Sequence, residues 1–95
     1  MRVVAIKKIH NFWQQGHADS IAPLKTWCRI FKENDFSNVQ EIKRIFPSCR
    51  LVFDNSVIFN VASNKYRLVV HVHYNISIAF IRFIGTHAEY DKINV

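Results

Sequence analysis

Residues 66–74 read Tyr66-Arg67-Leu68-Val69-Val70-His71-Val72-His73-Tyr74, and they decide the fold. Tyr66, Leu68, Val70, Val72 and Tyr74 alternate with Arg67, Val69, His71 and His73, the period of two that sends successive side chains to opposite faces of a β-strand. The first set needs a core, whereas the second carries an arginine and two histidines. Downstream, Asn75 turns the chain into Ser77 to Ile84, a strand too apolar to leave either face fully open. Upstream, Arg50 to Phe53 and Val57 to Val61 read as two shorter strands joined by Asp54-Asn55-Ser56, with Ser63-Asn64 as the turn into the long strand.

Before Pro47 the period is helical. Leu24, Trp27, Cys28 and Phe31 fall at i, i+3, i+4 and i+7, which predicts an amphipathic helix running to about Lys32. Ser20 is its expected N-cap, with Pro23 in the first turn, where a missing N–H costs nothing. Ala5, Ile9, Phe12 and Trp13 predict an earlier helix ending near Gln15, with Gly16 as its stop. Arg2 to Ala5 suits an edge strand leading into it. Ser37 and Gln40 have capping-box spacing for a third helix that turns Val39, Ile42 and Phe46 inward and ends at Pro47. Helices first and a strand meander afterwards give an α+β fold, an antiparallel sheet with the N-terminal helices packed on one face. No repeat or linker divides the chain, so a single domain over residues 1–95 is expected.

Of the 95 residues 49% are hydrophobic, and only two Gly and two Pro occur, which excludes a disordered or low-complexity chain. No apolar run approaches the ~20 residues that span a bilayer. The apolar stretch at Val3 to Ile6 is too short for a secretory signal, so a soluble, cytoplasmic protein without membrane contact is expected. Thirteen Lys plus Arg against seven Asp plus Glu give a net charge of +6, and a small domain this basic suits a polyanion, nucleic acid first. Cys28 and Cys49 are too few for a disulfide scaffold and read as reduced thiols.

Four groups of residues could carry chemistry. Thr86 and Glu89 have the spacing of a capping box, so a short helix should start at His87 and bring His87, Tyr90 and Asp91 onto one face, beside a helix end that favours phosphate. Arg67, on the exposed side of the long strand, must face solvent, a carboxylate or a ligand. His17 sits in the hinge between the first two helices. His71 and His73, two apart on one strand face, could hold a metal with Cys28 or Cys49, but no C-x-x-C or H-x₃-H spacing completes such a site, and neither metal nor cofactor is expected.

Ser63-Asn64-Lys65-Tyr66-Arg67-Leu68-Val69-Val70 and Ile81-Arg82-Phe83-Ile84-Gly85-Thr86-His87-Ala88-Glu89-Tyr90-Asp91-Lys92-Ile93 together resemble the HigB-type toxins of bacterial type II toxin–antitoxin systems, a RelE-like group. Phe12-Trp13, Leu24-Lys25-Thr26-Trp27 and Phe46-Pro47-Ser48 extend the resemblance over nearly the whole chain. Ser63 departs from the pattern, which has Gly before the Asn. Asn64 tolerates positive φ, so the turn should survive.

The resemblance implies a RelE-like fold and a ribosome-dependent, metal-independent endoribonuclease, an mRNA interferase. Its partners would be mRNA on the ribosome and a helix-turn-helix, HigA-like antitoxin, with DNA reached only through that antitoxin. Metal-free RNA cleavage needs a base for the 2′-OH proton, a cation for the phosphate and an acid for the 5′-oxygen. By resemblance Arg67 takes the phosphate and His87 or Tyr90 moves a proton, with His17 a further catalytic candidate. Lys65, Arg82 and Lys92 are expected to hold RNA or ribosome backbone. Two other classes fit the composition: a non-catalytic RNA- or ribosome-binding module, and a metal enzyme built on the strand histidines.

Overall fold

The computed structural model describes residues 1–52 and 55–93. In chain order the elements are β1 (Arg2–Val4), α1 (Lys7–Gln14), a 3₁₀ turn (Ala18–Ser20), α2 (Ile21–Glu33), α3 (Val39–Ile45), β2 (Arg50–Val52), β3 (Ser56–Val61), β4 (Tyr66–His73), a second 3₁₀ turn (Tyr74–Ile76), β5 (Ile78–Thr86) and α4 (His87–Ile93). The expected strand ending at Phe53 and its turn at Asp54 reach residues outside that description. The strands form one sheet in the order β1-β5-β4-β3-β2. It is an α+β fold of the kind expected. The pairs β2–β3, β3–β4 and β4–β5 are antiparallel, while β1 returns to the far edge and pairs parallel with β5, Val3 opposite Ala79.

The alternation of β4 sets the layers. Tyr66, Leu68, Val70 and Val72 are buried, as are their register partners Val57, Phe59 and Val61 on β3 and Ala79 and Ile81 on β5. Against them pack Ile9 and Phe12 of α1, Leu24, Trp27, Cys28 and Phe31 of α2, and Ile42 of α3. Trp27, Phe31, Phe46 and Phe59 meet as an aromatic cluster, with Trp27 and Phe31 stacked at 4.3 Å between centroids. Apolar burial at roughly 25 cal/mol per Å² makes this one-sided core the main stabilising contribution.

Three local readings need correction. Ala5 is not part of α1: its φ of +66° makes the sharp turn out of β1, and the helix starts at Lys7. Ser20 does not cap α2 through its side chain, because the 3₁₀ turn runs into the helix with helical backbone and the Ser20 hydroxyl donates to the His17 carbonyl at 2.6 Å. The box on α3 is shifted by one residue: Asn38 Oδ1 accepts from the Glu41 amide at 3.1 Å and Glu41 Oε1 accepts from the Ser37 amide at 2.7 Å. An Asn cap with Glu three residues on uses a charged acceptor at the positive helix end, which Ser37 with Gln40 lacks.

The turn before β4 takes left-handed backbone at three successive residues, Ala62, Ser63 and Asn64, with φ of +54°, +56° and +69°. Such strain persists only where the surroundings hold it. Here Asp19 does so, accepting from Lys65 Nζ and from the Tyr66 hydroxyl, both at 2.6 Å. The Lys65 bond first, and the Tyr66 bond after it, hold the Asp19 carboxyl below its ordinary value of 3.8. Lowering an acid's pKa by folding gives stability that is present above the unfolded value and lost as pH falls through the folded one. Asp19→Asn should therefore melt below wild type at pH 7 and lose less stability on acidification below about pH 4. Thermal melts at the two pH values check this; equal acid slopes would show that the clamp contributes nothing.

Candidate active site

The face of the sheet away from α1–α3 is built by the other half of the alternation. Asn60 on β3, Arg67 on β4 and Gly85 on β5 stand side by side in register there. β5 then runs without a break into α4. The Thr86–Glu89 box is made in full: Thr86 Oγ1 accepts from the Glu89 amide at 3.2 Å, and Glu89 Oε1 accepts from the Thr86 amide at 2.8 Å. This fixes the angle at which α4 leaves the strand and lays Tyr90 over Arg67, whose Cζ is 4.9 Å from the ring centroid. The Phe83 ring lies 6.2 Å from that of Tyr90.

Gly85 makes the close approach possible. A Cβ there would come within 2.6 Å of the Phe83 ring and 2.8 Å of Glu89 Oε1. Gly85→Ala should therefore push Phe83 and the cap apart, costing about 1–3 kcal/mol, the usual range for overpacking. Urea unfolding measures the loss, and a wild-type midpoint would mean that α4 is not held by this contact.

Polar groups are left over at this corner. Among the described residues, Arg67 Nε and His87 Nε2 are buried without a hydrogen-bond partner, as is Asn60 Oδ1, next to Arg67 in register. Buried polar atoms are seldom left unpaired, so each one needs a reason, and for the Arg67 Nε–H donor a ligand's oxygen is one. Next to Arg67, α4 and the sheet enclose a groove of about 560 Å³ lined by Val52, Ser56, Val69, Arg82, Phe83, Tyr90 and Ile93. Arg82 enters it because it is a bulge residue: Val69 pairs with Phe83 and Val70 with Ile81, so Arg82 has no partner on β4. Bulges re-aim side chains in this way, often beside functional sites.

Of the residues proposed from sequence, the structure lays Tyr90 over Arg67 and puts His87 on the first turn of the same helix, three residues before Tyr90. Arg82 joins them through the groove. Lys92 is exposed on the last turn of α4. Lys65 is not a free cation but is paired with Asp19. His17 stands elsewhere: its ring stacks on Phe12 at 4.0 Å and meets Tyr66 edge-on at 5.2 Å, on the helix side of the sheet. Asp91 is exposed.

Cys28 and Cys49 belong to the core on the helix side, across the sheet from His71 and His73, and burial pushes both thiols up. A buried thiol with a raised pKa is a poor nucleophile or ligand. Among the described residues no three His, Cys, Asp or Glu side chains converge on a metal-sized site. No helix among those residues is long and apolar enough to cross a membrane. Sequence reasoning missed Asn60 and Phe83; their signal was cross-strand register, which a single strand's pattern does not contain.

Residues 20–93 match the family model HigB_toxin, described as the RelE-like toxic component of a toxin–antitoxin system. Over 77 residues the chain is 31% identical to the mRNA interferase HigB of Escherichia coli O6:H1, a stretch covering 79% of this chain and 74% of that protein. It is 34% identical over 58 residues to the mRNA interferase toxin HigB of Escherichia coli K12, covering 59% of this chain and 56% of that one. The mRNA interferase HigB of Shigella flexneri matches to the same extent.

Proposed function

The chain belongs to the HigB family of RelE-like toxins, the toxic components of toxin–antitoxin systems, and from that membership we propose that it is an endoribonuclease that cuts mRNA on the ribosome without a metal ion. The observation that carries this reading is the Arg67 guanidinium held against the Tyr90 ring with Nε unpartnered, one residue pair from the strand–helix corner where His87 also keeps an unpartnered ring nitrogen. Stacking on an aromatic ring orients a guanidinium, and a fork with a spare N–H can take two phosphate oxygens at once.

In this reaction the 2′-oxygen attacks phosphorus in line and the bond from phosphorus to the 5′-oxygen breaks, leaving a 2′,3′-cyclic phosphate and a 5′-hydroxyl. One proton leaves the 2′-OH and another reaches the departing oxygen. Arg67 stabilises the charge that grows on the non-bridging oxygens. His87 transfers a proton, and Tyr90 holds Arg67 with its ring while its hydroxyl is the second proton-moving group. Arg82 and Lys92 hold RNA or ribosome backbone. Lys65 serves the turn through Asp19, and His17 is given no proton in this reading. The partner is a helix-turn-helix, HigA-like antitoxin in the cytoplasm.

Induction of the wild-type chain alone should arrest growth, and co-expression of the helix-turn-helix protein encoded beside it should restore growth. Translating ribosomes should show mRNA cuts that end in a 2′,3′-cyclic phosphate and persist in 1,10-phenanthroline, which takes transition metals and leaves the ribosome its magnesium. Harmless high-level expression would overturn the toxin reading, and cuts that phenanthroline abolishes or that leave a 5′-phosphate would overturn the metal-free one. RNA binding without any cut would leave a non-catalytic module.

A further inference from the structure

We propose that the open face of the sheet beyond Arg67 is a binding track for the single-stranded RNA that flanks the cleaved bond, with the stacked pair His71 and His73 and the exposed Phe80 as its base-stacking platform. This rests on the RNA-cleaving reading above and extends it to residues that reading leaves idle.

The His71 and His73 rings stack at 4.4 Å with 15° between their planes. Phe80 faces His71 in register on β5 and is 39% exposed, unusual for a phenylalanine in a central strand. Arg82 Nη1 reaches to 3.5 Å from His71 Nδ1. Lys8 comes over from α1, its Nζ 5.9 Å from the Phe80 ring centre and donating to the Arg82 carbonyl at 3.0 Å.

Charge singles out the same face. None of the five strands, as described, carries an Asp or Glu, while they carry four arginines, Arg2, Arg50, Arg67 and Arg82. Flat imidazole and phenyl rings among cations, with no carboxylate in the described strands, match what single-stranded RNA needs: planes for bases and positive charge for phosphates. The geometry also gives direction. Arg67, Val69, His71 and His73 share a face, so at ~3.3 Å per residue the row from Arg67 to His73 is about 20 Å long, the reach of a short run of nucleotides. Val69 and Arg82 join it to the groove beside Tyr90. An acidic protein segment would use the charge but not the stacked rings, which favours RNA.

The test is fluorescence anisotropy with a 2′-O-methyl RNA of about 12 nucleotides and its trinucleotide counterpart, neither of which can be cut. Binding is then read without any cleavage, so failure of the catalytic reading and failure of this one are distinguishable. His71→Ala/His73→Ala and Phe80→Ala should each weaken the longer RNA about tenfold, the range for a lost stacking platform, and leave the trinucleotide unchanged. His71→Phe/His73→Phe should retain affinity, because it keeps the planes; this variant also separates stacking from a fold defect. Arg82→Ala should lower the salt slope by about 1. Unchanged affinity for the longer RNA, or equal losses at both lengths, would overturn the proposal. So would loss of antitoxin binding with RNA affinity intact, which would make the face a protein interface.

Discussion

Arg67→Ala is expected to slow cleavage by about 10²–10³, the loss typical of one oxyanion-type donor. A surface charge would not matter so much. Arg67, however, is half-buried, held 4.9 Å from the Tyr90 ring centre, and its Nε has no partner among the described residues. Its charge is thus placed before substrate arrives, and the reaction bears no cost of ordering it. Arg67→Lys should recover only part of the rate, since an ammonium keeps the charge but loses the planar fork and the flat stacking surface. Single-turnover cleavage rates on programmed ribosomes separate the three proteins, with circular dichroism as the folding control. Equal rates for the wild type and the alanine variant would remove Arg67 from the chemistry.

His87→Gln should lower the rate by roughly 10²–10⁴ if the imidazole moves a proton, because the amide keeps hydrogen bonding but cannot titrate. His87 opens α4, whose start is fixed by both bonds of the Thr86–Glu89 box. The ring's place therefore does not depend on its own hydrogen bonds, and folding should survive the change. Tyr90→Phe divides the role of the neighbouring ring. The phenyl still carries Arg67, so a rate close to wild type would make Tyr90 a positioning residue, and a loss like that of His87→Gln would make its hydroxyl a proton donor or acceptor.

Much of this was legible in the chain, for identifiable reasons. The alternation in Tyr66 to His73 and the stripe Leu24, Trp27, Cys28 and Phe31 are strong because each has one buried face, and burial enforces the period, whereas Tyr74, read as the strand's next residue, opens the second 3₁₀ turn. The Thr86–Glu89 box was readable because both of its hydrogen bonds are local in sequence. Where two local solutions competed, the reading slipped: Asn38 with Glu41 displaced Ser37 with Gln40, and the 3₁₀ turn displaced the Ser20 side-chain cap. Long-range facts were out of reach. The parallel return of β1 to β5, the bulge that turns Arg82 toward the groove, and the pairing of Lys65 with Asp19 join residues far apart in the chain. Arg67 and Tyr90 each stand out in the sequence, but their stacking, and the room that Gly85 leaves for Phe83 and Glu89 beside it, are visible only in three dimensions.

The most direct test of the corner formed by Arg67, His87 and Tyr90 as the cleaving centre is single-turnover cutting of an mRNA held in the decoding site of intact ribosomes. Wild-type protein should leave a 2′,3′-cyclic phosphate at the cut, and Arg67→Ala and His87→Gln should each fall by at least about a hundredfold with their circular dichroism unchanged. Near-wild-type cutting by both variants would contradict the assignment.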